Sequence, residues 1–236
     1  MDTLYIVIPA YNEAENIENV IRSWYTVIET HDGNGDSRLV IVNDGSRDET
    51  FEIAKTFAKE RPQLVILNKP NGGHGSAVLC GYRYAVNKGA DYIFQTDSDG
   101  QTNPAEFEDF WEIREENEAV IGIRPDRQDG KSRVFVEKVL CLLLRIIFGV
   151  KVPDSNAPFR LMKREFVEKF IRKLPKNYAL PNVMLTTYGA YYHEKVTYRP
   201  ITFKPRQAGT NSINIKKIIK IGINSTKTSK MKHLAI

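Results

Sequence analysis

The chain has 236 residues, 42% hydrophobic and 27% charged, an ordinary globular balance that excludes disorder and fibrous repeats. Its net charge of +5 conceals a division: residues 1–123 carry 10 basic and 22 acidic side chains (−12), residues 124–236 carry 24 and 7 (+17). Only two cysteines occur, Cys80 and Cys141, which excludes a disulfide scaffold or a thiolate metal centre and fits a reducing cytoplasm.

In chain order, five short apolar runs read as strands: residues 4–8, 38–42, 64–68, 92–96 and 119–123. Unbroken apolar runs suit strands covered on both faces, as in a parallel sheet. The first follows Met1-Asp2-Thr3 directly, without the basic and apolar regions of a signal peptide. Helices are expected between the runs. Asn12 with Glu15, and Ser46 with Glu49, have capping-box spacing, and residues 75–86 and 104–117 read as two further helices. Such βα repeats predict a doubly wound, mostly parallel α/β sheet sandwiched by helices, with function at the carboxyl ends of the strands.

After Ile123 the pattern changes. A basic loop over residues 125–131 precedes a long helix, 133–148, whose apolar stretch is short and interrupted by Arg145, too little to span a bilayer. A loop with Pro153 and Pro158 follows, then helices over 163–173 and 181–191 and a strand over 196–203. Residues 213–223 place Ile215, Ile218, Ile219 and Ile223 on one helical face, with Lys216, Lys217 and Lys220 opposite.

The chemistry-bearing residues lie at strand ends. The first strand closes in Pro9-Ala10-Tyr11-Asn12-Glu13 and the second in Asn43-Asp44-Gly45-Ser46. The third runs into Asn71-Gly72-Gly73-His74-Gly75 and the fourth into Asp97-Ser98-Asp99-Gly100-Gln101. Each alone reads as a turn and helix cap; four at one sheet edge point to a shared crevice. Asp97 and Asp99, two residues apart beyond a strand, can share one hard cation, Mg²⁺ or Mn²⁺, with Gln101 adding a third oxygen. The alternative is an Asp-rich turn. The glycine-rich loop could bring backbone amides near a phosphate but has neither the P-loop ending nor the dinucleotide spacing, and His74 reads as a ligand or as a loop residue.

Together these four motifs resemble those of the family 2 glycosyltransferases of the GT-A fold, over about residues 3–210. Thr96-Asp97-Ser98-Asp99-Gly100-Gln101 is similar to the metal motif of the polyprenyl-phosphate sugar synthases, the dolichyl-phosphate mannose synthases among them. The resemblance implies a nucleotide-sugar donor, UDP- or GDP-linked, held by Pro9, Tyr11, Glu13, Asp44, Lys69, Gly75, Asp97 and Ser98. It implies Mg²⁺ or Mn²⁺ on Asp97, Asp99 and Gln101, inversion in a single displacement, and catalytic parts for Asp99, Asp154 and Arg124. The acceptor side, which includes Phe159-Arg160, would bind a polyprenyl phosphate through Arg124, Arg127, Arg133 and Arg206, since arginine suits bidentate phosphate contacts. An ionised phosphate needs no general base. The sequence departs from those synthases at Gly209-Thr210-Asn211-Ser212, which lacks their lysine, and at Ala157-Pro158-Phe159-Arg160.

The expected organisation is one domain over residues 1–210, with a nucleotide-sugar half (1–123) and an acceptor half (124–210), followed by a basic amphipathic helix and tail (211–236). The helices over 133–148 and 213–223 either pack on the core or lie on an anionic membrane, which would put the protein at the inner face of the membrane, with peripheral association or a membrane partner protein. Transfer to a sugar or protein hydroxyl is the runner-up. A nucleotidyltransferase would open with a glycine-rich loop after the first strand, where Pro9-Ala10-Tyr11-Asn12 stands instead. A nucleic-acid-binding module would explain the basic half and leave the acidic strand ends without a role, so no nucleic-acid partner is expected.

Overall fold

The structure, a computed structural model, describes residues 2–125 and 131–204, with the backbone alone at 131–133. The strands are β1 (Leu4–Ala10), β2 (Arg38–Asn43), β3 (Leu64–Asn68), β4 (Tyr92–Thr96), β5 (Ala119–Ile123), β6 (Phe159–Lys163) and β7 (Val196–Pro200). The helices are α1 (Ile17–Thr30), α2 (Thr50–Ala58), α3 (His74–Asn87), α4 (Glu108–Trp111), α5 (Lys131–Phe148), α6 (Arg164–Ile171) and α7 (Pro181–Tyr191). One seven-stranded sheet has the order β3-β2-β1-β4-β6-β5-β7. All neighbours pair in parallel except at β6, which runs antiparallel to both β4 and β5.

Strand alternation divides the interior into two layers. Leu4, Ile6 and Ile8 of β1, with Leu39 and Ile41 of β2, pack with Ile17, Ile21, Trp24 and Ile28 of α1. The intervening Tyr5, Val7, Val40 and Val42 pack on the opposite face with Ala77, Val78, Tyr82 and Ala85 of α3. Both faces are therefore dry, which is why the strands read as continuous apolar runs. Gly81 lets α3 approach β1 closely, because a Cβ there would lie 2.2 Å from Val7 Cγ1. A third cluster joins Leu140 and Leu144 of α5 to Val150, Val152 and Val183.

Several elements differ from the sequence-based expectation. α1 begins at Ile17, not at a box on Asn12, because Asn12 turns left-handed (φ +54°) and gives its side chain to another loop. α2 begins at Thr50, and Ser46 is engaged with Asn43 instead of capping it. The helix expected over 104–117 is a 3₁₀ turn at Pro104–Phe107 running into the single turn of α4. Residues 159–162, expected as the end of a loop, and Lys163, expected to begin a helix, form β6. Its Phe159 and Leu161 fill the α1 layer, while Arg160 points into the other and is fully buried. The helix over 213–223 and the tail to 236 lie outside the described residues.

Candidate active site

β6 explains how one sheet edge acquires two chemistries. The parallel strands deliver their carboxyl ends there, and an antiparallel strand delivers its beginning to the same edge. The segment entering β6 therefore stands beside the residues leaving β4 and β5.

On the β1–β2 side, the loops are laced through backbone donors. Asn12 N–H donates to Ser46 Oγ (3.1 Å), Arg47 N–H to Asn12 Oδ1 (2.8 Å), Glu13 N–H to Thr50 Oγ1 (2.8 Å) and Ala14 N–H to Asp48 Oδ2 (3.1 Å). Pro9 is buried at the end of β1, Glu13 is buried and accepts from Asn16 Nδ2 (2.7 Å), and Tyr11 stands at the surface. Asp44 is buried, and its carboxylate gathers the loop before α3. Gly72 N–H reaches Oδ1 (3.0 Å), Gly73 N–H reaches Oδ2 (2.8 Å), and the Lys69 ammonium pairs with Oδ1. Gly75, the second residue of α3, lies against residues 178–179 so closely that a Cβ would meet Ala179 O at 2.2 Å.

Beyond β4, Thr96 and Thr102 hydroxyls bond across the turn (2.8 Å), Ser98 is buried, and Gln101 N–H donates to Asp99 Oδ1 (3.2 Å). Gln101 Nε2 donates to Lys204 C=O (2.7 Å), tying the turn to the segment after β7. Asp97 Oδ1 meets His74 Nε2 and Gln95 Nε2, each at 3.0 Å. Burial works to raise the Asp97 carboxyl, but the His74 ring, Arg124 and Gln95 together hold it below its ordinary value. The reverse holds for His74: burial would lower it, and Asp97, Asp99 and Asp44 raise it on balance. His74, read from the sequence as a ligand or a loop residue, is the first residue of α3 and pairs with Asp97.

Across the edge, Arg124 leaves β5 and forms a two-pronged pair with Asp154, which enters β6: Nε to Oδ2 at 2.8 Å and Nη2 to Oδ1 at 2.9 Å. Both side chains are about 95% buried, at 6% and 5% exposure, and the guanidinium stacks 5.0 Å over the Phe203 ring. The structure thus brings Asp44, Asp97, Asp99, Arg124 and Asp154 to one edge. Arg160 is not there: its guanidinium donates to Ala157 C=O, Asn182 C=O and Thr186 Oγ1 inside the protein. Of the other arginines expected at an acceptor phosphate, Arg127 and Arg206 lie outside the described residues, and only the backbone of Arg133 is described, in α5.

Residues 5–171 match the profile of Glycosyl transferase family 2. A dolichyl-phosphate beta-glucosyltransferase of Trichomonas vaginalis is 31% identical over 176 residues, 69% of this chain and 53% of that protein. An undecaprenyl-phosphate mannosyltransferase of Micrococcus luteus is 27% identical over 218 residues, 88% of this chain and 86% of that protein. Among solved structures, glucosyl-3-phosphoglycerate synthase from Mycobacterium tuberculosis in complex with Mn²⁺ and UDP-glucose superposes with a TM-score of 0.65. At 18% identity, over 97% of this chain and 78% of that one, it is a likeness of fold. The chain spans about half the length of the T. vaginalis relative, 53%, and 64% of an undecaprenyl-phosphate 4-deoxy-4-formamido-L-arabinose transferase of Pectobacterium atrosepticum.

Proposed function

The chain belongs to glycosyltransferase family 2, and from that premise we propose that it transfers a sugar, with inversion, from a UDP- or GDP-sugar to a polyprenyl phosphate. The observation that carries this reading is the opposition at one sheet edge of an acidic cluster, Asp97 and Asp99, and a basic anchor, Arg124 clamped by Asp154. The names of the relatives from T. vaginalis and M. luteus, both lipid-phosphate sugar transferases, support the acceptor.

The donor set fits a divalent cation. Asp97 and Asp99 are half-exposed carboxylates at the mouth of the edge, and Asp97 is held in its ionised form. The Gln101 amide nitrogen is committed to Lys204 C=O, and among the described residues no hydrogen bond takes up its oxygen, which can join them. A cation there, Mg²⁺ or Mn²⁺, would supply charge neutralisation for the leaving diphosphate. Pro9, Tyr11, Glu13 and Asp44 form the floor for base and ribose, with Lys69, Gly75 and Ser98 beneath the diphosphate. Asp44 shapes that floor by drawing the amides of Gly72 and Gly73 onto its carboxylate. Residues 1–123 then constitute the donor half and 124–210 the acceptor half.

The acceptor oxygen attacks the anomeric carbon from the face opposite the departing diphosphate. A phosphate is already ionised at neutral pH and requires no proton removal. This agrees with Asp154, both of whose oxygens are engaged by Arg124 and which positions that guanidinium instead of serving as a base. Arg127, Arg133 and Arg206 complete the anion-binding side. The outer face of α5 exposes Phe135, Leu142 and Ile146 beside Lys138 and Arg145, a composition suited to an anionic bilayer surface where a lipid acceptor resides. No helix among the described residues is long and apolar enough to cross a membrane.

Incubation with Mn²⁺ and a panel of UDP- and GDP-sugars, with and without undecaprenyl phosphate, tests the reading. Lipid-linked sugar is the expected product. Product that forms only on a hydroxyl acceptor overturns the lipid-phosphate assignment.

A further inference from the structure

A line of buried side chains runs from the interior of the α3 layer to the acidic edge. Tyr82 of α3 and Gln95 of β4 are fully buried and Asn182 of α7 is 2% exposed, yet each is polar. Tyr82 OH donates to Asn182 Oδ1 (2.8 Å), Asn182 Nδ2 to Gln95 Oε1 (2.7 Å), and Gln95 Nε2 to Asp97 Oδ1 (3.0 Å). We propose that this line is a positioning device for the cation-binding carboxylate, with Gln95, Asn182 and Tyr82 as positioning residues that fix Asp97 through hydrogen bonds passed hand to hand. The inference rests on the reading of Asp97 as a cation ligand given above.

The chemistry of the four groups permits one polarity. An ionised carboxylate only accepts, so Gln95 must turn its NH₂ towards Asp97, which presents its oxygen to Asn182. Asn182 must then present its own NH₂ to Gln95, and its remaining oxygen requires a donor, which Tyr82 supplies. Burial pushes the Tyr82 phenol well above its ordinary value, so the donor keeps its proton at every working pH. Neither amide can rotate without setting oxygen against oxygen.

The far end is equally fixed. Asn182 C=O accepts from Arg160 Nη1 (3.0 Å) and Thr186 Oγ1 (2.9 Å), and Arg160 is itself anchored on Ala157 C=O. At the near end, Gln95 Nε2 and His74 both fall on Oδ1 of Asp97, and among the described residues no hydrogen bond reaches Oδ2. One oxygen is spent on orientation and the other is offered to the cation. Outer partners of metal ligands commonly act this way. Here they tie α7 and β6, on the acceptor side of the chain, to a ligand on the donor side.

The test uses the whole chain and MnCl₂ with UDP, and in parallel with GDP, reading bound Mn²⁺ by electron paramagnetic resonance alongside the melting temperature. Tyr82→Phe removes a single hydroxyl and Gln95→Met keeps the length without the amide. Each is expected to weaken Mn²⁺ about 10-fold. The double variant should be no weaker than Gln95→Met alone, since the hydroxyl acts only through the amides. Thr187→Val, which removes another buried α7 hydroxyl, bonded to Val183 C=O, should leave Mn²⁺ affinity unchanged. Unchanged Mn²⁺ affinity in folded Gln95→Met or Tyr82→Phe, additive losses in the double variant, or an equal loss in Thr187→Val overturns the inference. Should Gln95→Met not fold, Tyr82→Phe decides. A wild-type protein that takes up no Mn²⁺ overturns the ligand reading itself, an outcome distinct from all of these.

Discussion

Asp99→Asn keeps the shape of the side chain and removes half of the charge on the acidic pair, so the fold should persist while metal-dependent turnover falls by about two orders of magnitude or more, given the several kcal/mol a cation contributes. Circular dichroism with a transfer assay checks it, and unchanged turnover removes Asp99 from the cation site. Arg124→Ala asks more of the protein. It leaves Asp154 buried without its guanidinium, a loss of about 3–5 kcal/mol for a broken buried pair, read as a fall in melting temperature. Arg124→Lys restores the charge without the fork and should recover only part. Asp48 carries a pH signature. Burial would raise its carboxyl, but bonds from the Thr50 side chain and the Thr50 and Ala14 N–H groups hold it below its ordinary value. A carboxyl lowered on folding stabilises above its unfolded value and loses that contribution as pH falls through the folded one. The melting temperature of Asp48→Asn should therefore drop less than that of wild type between neutral pH and about pH 3, a window set by the ordinary carboxylate range.

At the scale of elements, α5 turns Leu140 and Leu144 inward and leaves Phe135, Leu142 and Ile146 at 68%, 55% and 71% exposure. Large apolar side chains on one exposed stripe have little to do with core stability. Phe135→Asp with Leu142→Asp should change the melting temperature little while lowering affinity for anionic vesicles by about tenfold or more, since each residue brings about 1.5–3 kcal/mol when buried. Sedimentation with vesicles reads the difference, and retained binding would make α5 a bystander. Gly75→Ala tests the contact between α3 and residues 178–179: the new Cβ has no room beside Ala179 O, and about 1–3 kcal/mol of stability should be lost. The same elements show what a sequence discloses. β1, β2, β4 and β5 were legible because both their faces are dry, and β3, a half-buried edge strand, because its apolar run is unbroken. β6 was not, because Phe159-Arg160-Leu161-Met162-Lys163 mixes charge into a strand, and the acceptors that make a buried guanidinium tolerable, the carbonyls of Ala157 and Asn182 and the Thr186 hydroxyl, are not visible in the strand's own sequence. The Asp97–Gln101 turn was visible as spacing. Gln95 and Asn182 were invisible, since nothing local distinguishes a buried amide that bridges 87 residues from one on a surface.

Across the whole molecule, the division of charge into −12 and +17 follows the division of labour proposed for the two halves. The Asp97–Asp99 pair belongs to the acidic half, and the basic half carries α5 and the arginines assigned to the acceptor. Attraction between a basic surface and anionic lipid is screened over about 8–10 Å at physiological salt. Raising ionic strength should therefore weaken vesicle binding and acceptor use together, while nucleotide binding in the presence of metal changes less. β5 and β6 are hydrogen-bonded neighbours, and Arg124 and Asp154 clasp their ends. Among the described residues, α5 and the loop before β6 lie between those two, an excursion from the sheet fastened at its neck. Leu140 and Leu144 of α5 also pack with Val183 of α7, so clasp and packing together hold this excursion against the sheet. Under the function proposed above, that fastened excursion is the part of the scaffold through which the donor edge would meet its recipient.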